Sequence, residues 1–101
     1  MEPFEIYDAE FRFNECDDQR PWLVVDKRKD LVGCLPISGE HYDAPHFELA
    51  PEAVGFDQTG LSKRCYILDE RLFEIRQSCF ARRRGALVEP ILTAFREYAG
   101  L

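Results

Sequence analysis

The sequence predicts a mainly β fold: a small, strongly bent antiparallel sheet or barrel that carries one α-helix at its C-terminal end. Three observations lead there. Apolar runs of strand length, rich in aromatic and branched residues, recur between short polar breaks. From Leu87 onward the spacing changes to that of one helical face. The regular strand-helix alternation of nucleotide-binding folds, and their glycine-rich phosphate loop, are absent from the sequence.

Residues 4–13 alternate, and Tyr7, Ala9, Phe11 and Phe13 form the better apolar face, as in a strand with one side in the core. The polar, acidic residues 14–19 then predict a loop. Two apolar runs follow, residues 22–25 and 31–37, separated by the charged residues 26–30. A connection that short joins antiparallel neighbours, because a parallel crossover needs about a dozen residues or more. Gly39, Asp43 and Pro45 break the pattern. A short strand is expected over 46–50, a loop over 51–60, and strands over 65–68 and 72–75. Asp69, Glu70 and Arg71 between the last two form either a turn or the polar faces of one longer strand. At the end, Val88, Ile91, Leu92, Phe95 and Tyr98 define a helical stripe, with Pro90 in its first turn and Gly100 as its stop.

A chain of 101 residues, 46% hydrophobic and 13% aromatic, is expected to form one globular domain over residues 1–101 around a single core. No apolar stretch reaches bilayer length and the first residues are acidic where a signal peptide is basic, so a cytoplasmic protein without membrane contact is expected. Cys16, Cys34, Cys65 and Cys79 are widely spaced and are read as reduced thiols, most of them partly buried; a disulfide or metal site is the alternative. Net charge is -6, but residues 1–60 carry -9 and residues 61–101 carry +3. A polyanion would therefore approach the second half, together with Arg20 and the Lys27-Arg28-Lys29 segment.

Antiparallel pairing of the two central runs returns Ser38 to the neighbourhood of Arg20. A guanidinium and a hydroxyl on one sheet edge suit a phosphate, the first through paired N–H groups and the second by donating or accepting a proton. Other residues admit two readings each. Arg20 before Pro21 is also an ordinary surface residue at a strand start, and Ser38 before Gly39 is ordinary turn chemistry. His41, Asp43 and His46 are solvated loop residues or an acid/base or metal group, and Asp8 with Glu10 is an exposed rim or a carboxylate pair. Arg82, Arg83 and Arg84 are a solvated charge run, a phosphate-binding rim or a partner contact. Trp22 is a core residue or a base-stacking platform.

The order of these features resembles the PemK/MazF family of toxin–antitoxin ribonucleases. The resemblance spans almost the whole chain: the opening strand Ile6-Tyr7-Asp8-Ala9-Glu10-Phe11-Arg12-Phe13, then Arg20-Pro21, then Leu35-Pro36-Ile37-Ser38, where the family has a Pro-x-Thr or Pro-x-Ser ending. Gly60-Leu61 leading into Cys65-Tyr66-Ile67-Leu68, the segment Leu68-Asp69-Glu70-Arg71-Leu72-Phe73-Glu74-Ile75, and Gly85-Ala86-Leu87 before the closing helix complete it. It implies an SH3-like barrel, a homodimer, metal-independent and cofactor-independent cleavage of single-stranded RNA, and a cognate antitoxin laid over the active groove. Arg20 matches the family's catalytic arginine and Ser38 its catalytic threonine or serine. Arg71 with Glu70, and Lys27 with Arg28, are the candidate RNA contacts. Three features differ from the family pattern: the short acidic segment 14–19, Arg71 where a glutamine is common, and the overall acidity. Outside ribonuclease chemistry, a gyrase-poison type of toxin acting by protein binding, or a simple protein-binding barrel, are the other functions this pattern admits.

Overall fold

Successive strands of this chain pair with their neighbours wherever a short turn allows, and the sheet grows outward from the central hairpin. The computed structural model describes residues 1–13, 16–40 and 46–101, with residues 11–13 and 16–19 as backbone only. Its strands are β1 (Glu5–Phe13), β2 (Cys16–Arg28), β3 (Leu31–Ser38), β4 (Phe47–Leu49), β5 (Cys65–Ile67), β6 (Phe73–Arg76) and β7 (Phe80–Ala86), followed by the helix α1 (Ile91–Ala99). All pairings are antiparallel. The order across the sheet is β4-β5-β3-β2-β1-β7, with β6 also paired to β3. The sheet bends as expected but does not close, since β4 and β7 remain its two ends.

The central hairpin is longer than its apolar runs suggest. Pairs from Trp22 with Pro36 to Arg28 with Leu31 carry β2 through most of the charged segment, after a register shift between Val24 and Asp26. Only Lys29 and Asp30 are left for the turn, and Lys29 takes the left-handed conformation such tight turns require. The predicted loop over 14–19 is likewise corrected. Cys16 to Gln19 continue β2, paired with β1 from Phe13 to Glu10. Polar composition misled here because a hairpin extending beyond the core has no need of apolar residues.

Both faces of the bent sheet are covered, so a single core is replaced by two clusters. Ile6, Leu23, Leu35, Ile37 and Ile67 meet Ile91 and Phe95 of α1 on one face. Ala9, Trp22, Val24, Val32, Cys34 and Ile75 pack on the other, together with Tyr7, Phe73 and Phe80. Neither side of β1 is therefore the solvent side along its first half: Ile6 and Ala9, of opposite parity, are both fully buried.

The strand β7 has no apolar alternation that predicts it, because three consecutive arginines occupy its middle. Its alternation is written in charge instead. Arg83 pairs with Glu5 at 2.5 Å, while Arg82 and Arg84 reach Asp8 at 3.7 and 2.7 Å. These arginines thus rivet β7 to β1, and the carboxylate-pair reading of Asp8 with Glu10 gives way to a buried Asp8 shared by two guanidiniums.

Residues 51–60, expected as loop, include a 3-10 turn over Phe56–Thr59. The buried Thr59 hydroxyl donates to the Phe56 carbonyl at 2.6 Å and accepts from the Leu61 N–H at 3.2 Å, which ends the turn. Two glycines let this turn lie directly on β7. A Cβ on Gly60 would be driven into the Arg84 carbonyl, and one on Gly85 into the Gln58 carbonyl. In α1, Ile91 and Phe95 are buried and Leu92 is half-buried. Pro90 stands one position before the first helical residue, Tyr98 is 43% exposed, and left-handed Gly100 donates its N–H to the Arg96 carbonyl.

Gly85→Ala should destabilise the protein by about 2 kcal/mol or more, because backbone rather than a flexible side chain must give way. A urea titration should show a lowered midpoint with an unchanged slope; an unchanged midpoint would contradict the close approach.

Candidate active site

Arg20 and Ser38 flank the point at which the β2–β3 pairing ends. Arg20 lies opposite Ala9 on β1. The β2–β3 pairing ends at Trp22 with Pro36, and Arg20 and Ser38 each lie two residues beyond that last pair, so the same register extended would set them opposite one another. On its other edge Ser38 pairs with Tyr66 of β5, which pairs in turn with Glu48 of β4. Directly opposed residues project from the same face with Cβ atoms about 4.5–5.5 Å apart. Two short rows thus approach one another: Phe80, Ala9 and Arg20 on one side, and Ser38, Tyr66 and Glu48 on the other.

The chemistry of these rows is that of an anion site. Arg20 is half-buried and, among the described residues, forms no ion pair. Ser38 is buried, and its Oγ accepts the N–H of Glu40 at 3.1 Å. One lone pair is thereby occupied and the hydroxyl proton remains available to donate. Most other arginines are neutralised within the fold. Arg28 pairs with Asp26 at 3.2 Å, Arg64 pairs with Glu48 and with Glu52, and Arg82 to Arg84 hold Asp8 and Glu5. Arg82 to Arg84 thus carry a structural role in joining β7 to β1.

The remaining sequence candidates fall at different distances. Arg71 is exposed and lies over the Phe73 ring at 5.0 Å from its centroid; Phe73 meets Trp22 edge-on at 5.4 Å. Because Trp22 is on the face of β2 that carries Arg20, this stack holds a second cation above the same face. Trp22 itself is buried, which makes it the floor of the stack and no platform for a base. Glu70 is exposed in the turn between β5 and β6, beside Arg71. Lys27 and Arg28 are exposed at the far end of β2, seven and eight residues beyond Arg20, up to roughly 23–26 Å along an extended strand. Within one chain they do not share its rim. His41 and Asp43 lie outside the described residues, so the histidine grouping is not placed.

Cys34, Cys65 and Cys79 carry free thiols. Cys34 shares the face of Trp22, and burial pushes its thiol up to about 12, so it stays protonated and is no nucleophile for the adjoining rows. Tyr66 was missed as a candidate because its proximity to Ser38 depends on β5 pairing with the end of β3, which no local pattern announces.

The open antiparallel sheet with its terminal helix is the fold of the MazF toxins. The chain matches the Mycobacterium tuberculosis toxin MazF-mt6 with a TM-score of 0.72 at 18% sequence identity, over 95% of this chain and 92% of that one. No family model and no curated protein matches the sequence.

The seam between β1 and β7 should be acid-sensitive. Burial works to raise the Glu5 carboxyl, but the hydrogen bond from Arg83, the Glu2 N–H and the Arg83 charge outweigh it and hold it below its ordinary value of 4.5. A lowered folded value adds stability above pH 4.5 that is lost as the pH falls through the folded pKa. Thermal melts of wild type and Glu5→Gln should therefore converge as the pH falls below about 4, and a constant gap between them would contradict this.

Proposed function

We propose that this protein is a metal-independent endoribonuclease of the toxin type, cutting single-stranded RNA as a cytoplasmic homodimer and held in check by an antitoxin that covers the same groove. The observation that carries the reading is Arg20, a half-buried guanidinium without a carboxylate partner among the described residues, which like Ser38 lies two residues past the last β2–β3 pair. The MazF fold supports it.

In the proposed reaction the ribose 2′-oxygen bonds to the adjacent phosphorus and the bond from phosphorus to the 5′-oxygen breaks. The 2′-hydroxyl loses its proton, the departing 5′-oxygen gains one, and the products are a cyclic phosphate and a free 5′-hydroxyl. Arg20 binds the non-bridging oxygens, where charge grows in the transition state, and that differential binding is what accelerates the step. Ser38 donates to a phosphate oxygen and orients the attacking hydroxyl. Arg71, held on Phe73 beside Glu70, contacts RNA next to the cleavage centre. Lys27 and Arg28 serve RNA only beyond that centre.

One observation favours a second reading. Residues 1–60 carry a charge of -9, which repels a polyanion and suits a toxin that acts by binding a protein, as gyrase poisons do. The two separate in one experiment.

Purified protein incubated in EDTA with a long single-stranded RNA should release fragments with 5′-hydroxyl ends. Arg20→Ala should slow cleavage by about 10²- to 10³-fold, and Ser38→Ala should slow it less. Intact RNA at high protein concentration, or cleavage indifferent to Arg20→Ala, would overturn the ribonuclease and leave the protein-binding reading.

A further inference from the structure

Next to Ser38 the structure holds a cation that neither the sequence pattern nor the register rows contain. Gly39 follows Ser38 directly, and Lys63 lies across it: a Cβ on Gly39 would stand 2.9 Å from the Lys63 Cε and 3.0 Å from its Nζ. The lysine thus occupies the space that a side chain on residue 39 would fill, which sets its ammonium near the C-terminal end of β3.

Two features make that placement more than a stray surface charge. The backbone of Lys63 is tied down, since its carbonyl accepts the Cys65 thiol at 3.3 Å, one residue before Tyr66 of the Ser38 row. Its neighbour Arg64 is consumed by Glu48 and Glu52, whereas Lys63 is exposed and, among the described residues, has no carboxylate partner. In a chain of net charge -6, an ammonium set against Gly39, next in sequence to the buried Ser38, is a local positive charge at that end of β3.

We infer that Lys63 is a phosphate-binding residue of the RNA site, contacting a phosphodiester adjacent to the one held by Arg20 and Ser38. This rests on the ribonuclease reading. Lysine suits the role as a point charge on a flexible stem, which tracks a single-stranded backbone without reading its bases. Gly39 is then the surface on which that stem rests, and its bareness is part of the site.

The test uses the full chain, a long single-stranded RNA for cleavage, and its fully 2′-O-methylated copy, which cannot react, for binding. Lys63→Met should weaken binding of the methylated RNA roughly tenfold at low salt, and should reduce the slope of log affinity against log salt by about 0.7. Lys63→Arg should restore both. Gly39→Ala, which keeps the charge but displaces a flexible side-chain end, should weaken binding in the same direction, while urea midpoints of all three variants stay near wild type. If Lys63→Met binds with wild-type affinity and slope while Arg20→Ala abolishes cleavage, the role of Lys63 is overturned and the ribonuclease stands. If the wild type neither binds nor cuts RNA, the ribonuclease reading fails and Lys63 falls with it.

Discussion

The structure depends on β3 being hydrogen-bonded along both edges. One edge faces β2 over most of its length, and the other is divided, first to β6 from Leu31 to Cys34 and then to β5 at Ile37 and Ser38. A proline inside a central strand ordinarily forfeits a ladder bond. Pro36 escapes that cost by its place. Its carbonyl accepts the Leu68 N–H at 2.9 Å, so its nitrogen faces the same edge, in the gap between the last β6 pair and the first β5 pair. The proline marks where the strand changes partners, and the change of partners bends the sheet enough to bury both of its faces.

That division of β3 also assembles the candidate site. Had β6 continued along the whole edge, Ser38 would face a strand carrying Phe73, Glu74 and Ile75 instead of Tyr66 and the Lys63 segment. The charge pattern follows the same geometry. Acidic residues of β1 are spent on the arginines of β7, and those of the β4 region on Arg64, so these four guanidiniums serve to hold the fold together. Among the described residues that form no ion pair, Arg20 and Arg71 belong to one face, and Lys63 stands against Gly39 next to Ser38. A net acidic chain can thus present a locally basic surface, because screening confines the reach of its other charges to about 10 Å.

Features encoded by nearest neighbours were legible in the sequence, and features encoded across strands were not. The central hairpin, the opening strand and the terminal helix could be read because periodicity and turn residues are local. That β2 and β3 are antiparallel neighbours could be read as well, since they are joined by a single short turn. The β7 strand could not, because Arg82 to Arg84 alternate in their salt-bridge partners and not in hydropathy. The glycines at 60 and 85 were visible as motif residues without a reason, and the reason is a backbone approach between segments twenty-five residues apart. Lys63 had no signal at all, since its relation to Gly39 exists only once β5 has docked on β3.

The state of Ser38 bears on which oxygen attacks in the proposed reaction. A serine that acts as nucleophile needs a neighbouring base to draw off its proton and a free lone pair to direct at phosphorus. Here one lone pair already accepts the Glu40 N–H, the register neighbour on one edge is the Tyr66 phenol, and the cation of the proposed site is the Arg20 guanidinium. Arginine stays protonated at any working pH, so it stabilises charge without removing a proton. A phosphodiester drawn into this site therefore meets donors. Donors favour the route in which RNA supplies its own nucleophile, the 2′-hydroxyl, and the protein supplies position and positive charge.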